Sequence, residues 1–160
     1  VLRYGPCLLA LAINTTPVVG QTSTATGTIA VSATVLSFCS ITTQPLAFGN
    51  YSSVALGATT TISVSCTNTS PYNVGLDPGQ GSGATVTVRK MTYNTSNTLN
   101  YGLYQDSGHA TVWGNTIGTN TVTGTGNGAA QTLTVYGLIP ASQLVVPGAY
   151  TDTVTATITY

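Results

Sequence analysis

The chain has 160 residues, three basic and three acidic side chains, no glutamate and zero formal net charge. That length suits one domain with a real core. The charge balance offers no electrostatic footprint for nucleic acid or an anionic membrane, and it protects weakly against self-association. The 32 threonines favour strands over helix interiors, and 18 glycines and 7 prolines punctuate them. The composition predicts an all-β protein.

Residues 1–20 differ from the rest. One basic residue, Arg3, precedes an apolar run over 7–13, and small residues follow up to Gly20. The segment reads as a secretory signal peptide cleaved after Gly20, against the alternative of a buried first strand or helix. The run is too short to span a bilayer. Export leaves Cys39 and Cys66 as an even pair in an oxidising compartment, which predicts a disulfide between them.

Residues 24–39, "TATGTIAVSATVLSFC", alternate strictly. Ala25, Gly27, Ile29, Val31, Ala33 and Val35 form one face, and threonine and serine dominate the other, the period of a strand with a dry and a wet side. Near Leu36 and Phe38 the apolar residues change parity, which implies a bulge, a bend or two segments in tandem. Residues 24–35 therefore need not share a sheet with the residues after them, and residues 36–39 are expected to open the domain's own first strand.

Alternation continues over 58–68 (Ile62, Val64, Cys66), 71–79 (Tyr72, Val74, Leu76), 84–94 (Val86, Val88), 98–106 (Leu99, Tyr101, Leu103) and 130–140 (Leu133, Val135). A short piece lies at 111–114, and residues 115–130 read as a long hairpin or loop. The last run, 148–160, sets Val154, Ala156, Ile158 and Tyr160 against five threonines. Short strands separated by Gly, Pro and Asn predict a β-sandwich or barrel.

Chemistry is sparse. A catalytic triad would need the one histidine, His109, with Asp77, Asp106 or Asp152, and there is no GxSxG elbow. "DSGH" at 106–109 reads better as a hairpin tip. No catalytic residue, metal site or small-molecule cofactor is expected. Tyr93, Tyr101, Tyr104, Trp113 and Tyr136 could stack on sugars, but aromatics at alternating strand positions more often pack in a core.

Taken in order, several pieces resemble the spore coat protein U domain shared by pilins of archaic chaperone–usher systems. They are the alternating leader ending in Cys39, "PLAFGNY" (45–51), Cys66 in its threonine-flanked strand, "LNYGLYQD" (99–106), "VWG" (112–114), "QTLTVYGLIP" (131–140) and "PGAYTDTVTATITY" (147–160). The resemblance implies an immunoglobulin-like β-sandwich lacking its last strand, over residues 36–160. It implies a donor strand within residues 21–35, carried by Ala25, Gly27, Ile29, Val31 and Ala33. The acceptor groove would be lined by Val154, Ala156, Ile158 and Tyr160. The implied partners are neighbouring copies or related pilins, a periplasmic chaperone and an outer-membrane usher, with export to a surface fibre of a Gram-negative bacterium and a role in adhesion or biofilm. Two alternatives stand beside it: a self-contained secreted coat or matrix protein, and a carbohydrate-binding module.

Overall fold

The computed structural model describes residues 20–160, and the expected signal peptide lies outside them except for Gly20. The described chain divides between Thr34 and Val35 into two units. In the first, residues 20–34 form no strand and every side chain is exposed. A strand is defined by its ladder partner, and the expected strand over 24–35 has none here.

The second unit is all β. Its strands are β1 (Cys39–Thr43), β2 (Leu56–Cys66), β3 (Pro71–Leu76), β4 (Arg89–Tyr93), β5 (Asn97–Tyr104), β6 (Val122–Thr125), β7 (Ala130–Ile139) and β8 (Ala156–Thr159). They form a five-stranded sheet in the order β1-β2-β7-β5-β4 and a three-stranded sheet in the order β6-β3-β8. Every pairing between these strands is antiparallel.

The period-2 pattern sets the core. On β2, Ile62, Val64 and Cys66 are buried, while Thr61 is exposed and Ser63 and Ser65 are half-buried. From the facing sheet Tyr72, Val74 and Leu76 meet them, and Leu99, Tyr101 and Leu103 of β5 extend the same cluster. Trp113 lies within it at 1% exposure. Its indole N–H donates to the Val74 carbonyl at 2.8 Å, so the one polar atom of that ring is satisfied.

Four expectations are corrected. The domain's first strand begins at Cys39 rather than at 36, and Leu36 and Phe38 stay exposed. Residues 84–88 are not strand: Thr85 N–H donates to the Val88 carbonyl in a tight turn, and pairing starts at Arg89. The 115–130 stretch is not all loop, because β6 within it pairs with β3. The final run is broken in two. Thr151 bridges Thr92 on the edge of the five-stranded sheet, and only from Ala156 does the chain pair with β3 in the other sheet.

Two aspartates hold that change of sheet. Asp152 Oδ1 accepts from the N–H of Gln80 at 2.7 Å and of Thr153 at 2.8 Å. Its Oδ2 accepts the Tyr101 hydroxyl at 2.7 Å. Asp77 Oδ1 accepts from the N–H of Gly79 and of Thr155, both at 2.9 Å. Gly79 has φ +81°, and a Cβ there would run into the Asp152 carboxylate. The corner thus requires glycine at that position for both its backbone and its space.

Burial works to raise the Asp77 pKa, but the hydrogen bonds from Thr155 and Gly79 and the nearby Arg89 charge outweigh it, and the net shift is downward from 3.8. A carboxyl depressed on folding adds stability that is complete above its unfolded value and lost as pH falls through its folded value. Urea midpoints of the protein and of Asp77→Asn should therefore differ most at neutral pH. The gap should narrow as the pH drops below 3.8. A gap that widens in acid would contradict this.

Candidate functional site

The two sheets leave one side unfinished. β1 is an edge of the five-stranded sheet and β8 an edge of the three-stranded sheet. The two edges approach each other, yet no ladder joins them. Between the chain leaving β1 and the chain entering β8 lies a cavity of about 480 Å³. Folded interiors pack like organic crystals, with few voids larger than a water of roughly 30 Å³. This gap is a cleft open to solvent whose floor is the sandwich core.

One wall is Thr43, Gln44, Leu46 and Phe48, and the other is Tyr150, Asp152, Val154 and Ala156. The floor is the core itself, with Ile62, Leu76, Leu103 and Val135. Leu46 and Phe48 reach it because Gly137 of β7 has no side chain: a Cβ there would sit 2.7 Å from Leu46 Cδ2 and 2.8 Å from Phe48 Cζ. Phe48 then meets the Tyr101 ring edge-on, with centroids 6.0 Å apart. Burial, and next the bond to Asp152, push the Tyr101 hydroxyl pKa well above the usual phenol value, so it stays a donor. A second cavity of about 780 Å³ shares Leu46, Phe48, Met91 and Tyr150 with the first. It continues the groove between residues 46–51 and 145–150.

Cys39 and Cys66 are bonded, S–S 2.02 Å, as the sequence predicts. They are directly opposed in the β1–β2 ladder. Val154, Ala156 and Ile158 are half-buried against the core, while Tyr160 is 55% exposed. Val154 and Ala156 line the cavity; Ile158 and Tyr160 do not. In the N-terminal unit Ala25, Gly27, Ile29, Val31 and Ala33 are all exposed, Ile29 and Val31 each at 89%. Sequence reasoning missed the opposite wall, although "PLAFGNY" holds Leu46 and Phe48. It also missed Tyr150 and Asp152.

The aromatic set makes no sugar platform as a whole. Trp113 and Tyr101 are buried at 1% and 5% exposure, with their polar atoms bonded internally. Tyr104 and Tyr136 are cross-strand neighbours.

Residues 25–157 match the Spore Coat Protein U domain. The chain belongs to that family. A curated relative, Protein U of Myxococcus xanthus, is 39% identical over 158 residues, covering 88% of this chain and 87% of its own length. Among solved structures, a chain of the CsuC–CsuE chaperone–tip adhesion subunit pre-assembly complex, from archaic chaperone–usher Csu pili of Acinetobacter baumannii, superposes with TM-score 0.56. Identity there is 22%, over 79% of this chain and 40% of that one, so this spore coat U domain spans well under half of the solved chain. At that identity the likeness is one of fold, an immunoglobulin-like β-sandwich. The E. coli Hda pilus minor tip subunit HdaB aligns at TM-score 0.36 and 21% identity over 75% of this chain and 78% of its own, too distant to bear on the fold.

Proposed function

We propose that this protein is a structural subunit of a secreted surface fibre, in which residues 25–33 of one copy fill the groove of the next. The observation that carries the reading is a core open between two strand edges, in a chain that also exposes an alternating apolar segment of its own. Strand addition at such an edge draws affinity from main-chain hydrogen bonds and specificity from alternate side chains. Burying Ile29 and Val31 contributes roughly 1.5–3 kcal/mol each. The joint is head-to-tail, so it propagates as an open filament.

In this reading the protein is exported through the periplasm of a Gram-negative bacterium. A chaperone covers the groove before assembly, an outer-membrane usher exchanges it for the next subunit, and the fibre serves adhesion and biofilm. The fold shared with a chain of a chaperone–subunit complex supports this. The match to the Spore Coat Protein U domain favours a second reading, a self-contained coat or matrix protein.

The test uses Ile29→Asp/Val31→Asp, which keeps the groove and spoils the donor. The variant should remain monomeric where the parent multimerises. A synthetic peptide of residues 21–35 should raise its Tm, because a ligand of the folded state alone stabilises it by mass action. A variant that assembles like the parent and ignores the peptide would leave the self-contained coat protein as the better reading.

A further inference from the structure

The five-stranded sheet has an outer face, on the side away from the cleft. Ile62, Leu103 and Val135 are buried in the core, so their strand neighbours point outward. The ladders fix two rows there. One sets Tyr136 between Thr59 and Tyr104, and the next sets Leu138 between Gly57 and Gly102. No residue of either row carries a charge.

Tyr104 lies down on this face. A Cβ at Gly102 would sit 2.5 Å from the Tyr104 hydroxyl and 2.6 Å from its Cε2, so the ring folds back along its own strand over that glycine. Glycine inside a strand weakens it and often marks a close approach. The ring accounts for Gly102. Packing does not account for Gly57: a Cβ there would meet only the Gly137 carbonyl within 4 Å, at 3.7 Å. Gly57 leaves low, open ground one row from Tyr136.

His109 stands beside Tyr104, its ring at 79° with centroids 5.2 Å apart. Its backbone is held at φ +55°, a costly conformation for a residue other than glycine. The His109 N–H donates to the Asp106 carbonyl at 3.1 Å, and the Asp106 carboxylate accepts from the N–H groups of Ala110 and Thr111. The loop is set before any ligand arrives. The hydroxyls of Tyr51, Tyr101 and Tyr150 donate within the fold. Those of Tyr104 and Tyr136 have no such partner among the described residues and are not buried, so they face solvent.

We propose that Tyr104, Tyr136 and His109 form a binding site for a neutral polysaccharide, with pyranose rings laid against the tyrosines and over the low ground at Gly57. An aromatic face is the negative pole of a quadrupole, and it attracts the weakly positive C–H side of a saturated sugar ring. The free phenol hydroxyls, His109 and the exposed Thr59 supply the few polar groups that orient a ligand. Nucleic acid would need cations for its phosphates, and neither row has one. The site is on the opposite side of the sheet from the cleft, whose floor includes Ile62, Leu103 and Val135. It stands whether the protein builds a fibre or a coat.

Retention on immobilised polymers tests it. Neutral polymers of glucose, galactose and N-acetylglucosamine are compared with an anionic polyuronate, using the full chain. At least one neutral polymer should retain the protein, and added salt should not release it, since no ion pair is involved. Tyr104→Ala and Tyr136→Ala should each weaken retention about tenfold or more. Tyr104→Phe keeps the ring and should lose less. In a second arm, independent of the variants, a hexasaccharide of the retained polymer is added to the labelled parent. Amide NMR shifts should cluster at 57–59, 102–104 and 136–138.

Retention of no neutral polymer, or retention of the polyuronate alone, would overturn the site. So would alanine variants that bind like the parent, or amide shifts confined to the cleft at 43–48 and 150–156. A self-association that Tyr104→Ala abolishes and Ile29→Asp/Val31→Asp does not would place a second copy on this face instead. The Ile29→Asp/Val31→Asp chain should itself bind the polymer like its parent, so this site and the fibre reading fail separately.

Discussion

Arg89→Met should lower stability by about 4 kcal/mol or more, since four hydrogen bonds to one charged group disappear. The guanidinium is wholly buried. Its Nε donates to the Asp77 carbonyl at 2.8 Å and its Nη1 to the Val86 carbonyl at 2.8 Å. Its Nη2 donates to the carbonyls of Leu76 at 2.9 Å and Trp113 at 2.8 Å. Burial pulls its pKa down while Tyr101, Asp77 and Asp152 pull it back up. An arginine remains charged through such a shift. Methionine fills much of the volume but leaves those carbonyls without this donor, at the end of β3 and beside the buried tryptophan. Lysine offers no planar fork and should rescue little. At about 2–4 °C per kcal/mol for a domain of this size, the melting temperature should drop by roughly 8–16 °C. Thermal unfolding followed by circular dichroism measures it, and a drop of under about 3 °C would contradict the assignment.

The second large effect is expected from Cys39→Ser/Cys66→Ser. The bridge spans a sequence separation of 27, and closing such a loop stabilises by about 3.5 kcal/mol in the chain-entropy model. The loss should not be uniform. β1 pairs with β2 alone, and the disulfide ties the first residue of β1 to the last of β2. Without it β1 should fray first, and one boundary of the groove should loosen. Hydrogen exchange should show amides of 40–43 losing protection ahead of those in β7. Equal protection loss across both strands, or an unchanged urea midpoint, would count against this account.

The range of each interaction decided how much of it the sequence disclosed. Alternation is local, so Ile62, Val64 and Cys66, and again Leu99, Tyr101 and Leu103, were legible as inward faces, and they are buried. The cysteine pairing was legible because compartment and count left one partner. Residues 84–88 misled because Val86 and Val88 alternate like strand residues, whereas the chain there turns so that Arg89 can reach the Val86 carbonyl. The final run misled for a related reason. Its period persists through residues 151–159, but period does not encode which sheet each half joins, and that choice is made by Asp152 and Asp77 bonding to distant N–H groups. The Leu46 and Phe48 wall of the groove depends on Gly137, about ninety residues away in the chain, a distance no pattern in a single sequence spans.

The open edges have a consequence for the life history of the molecule. Natural sheets defend exposed edges with lysine, proline, bulges or a covering element. β1 reads CSITT and β8 reads ATIT, with no charge and no proline in either. Nothing written into these two strands turns away an extended chain that comes to pair with them. In the fibre reading proposed above, safety is then a matter of timing: a newly folded copy has to meet its cover faster than it meets its siblings. On that reading, raising its concentration before a cover arrives should convert a building block into an aggregate with the same backbone contacts.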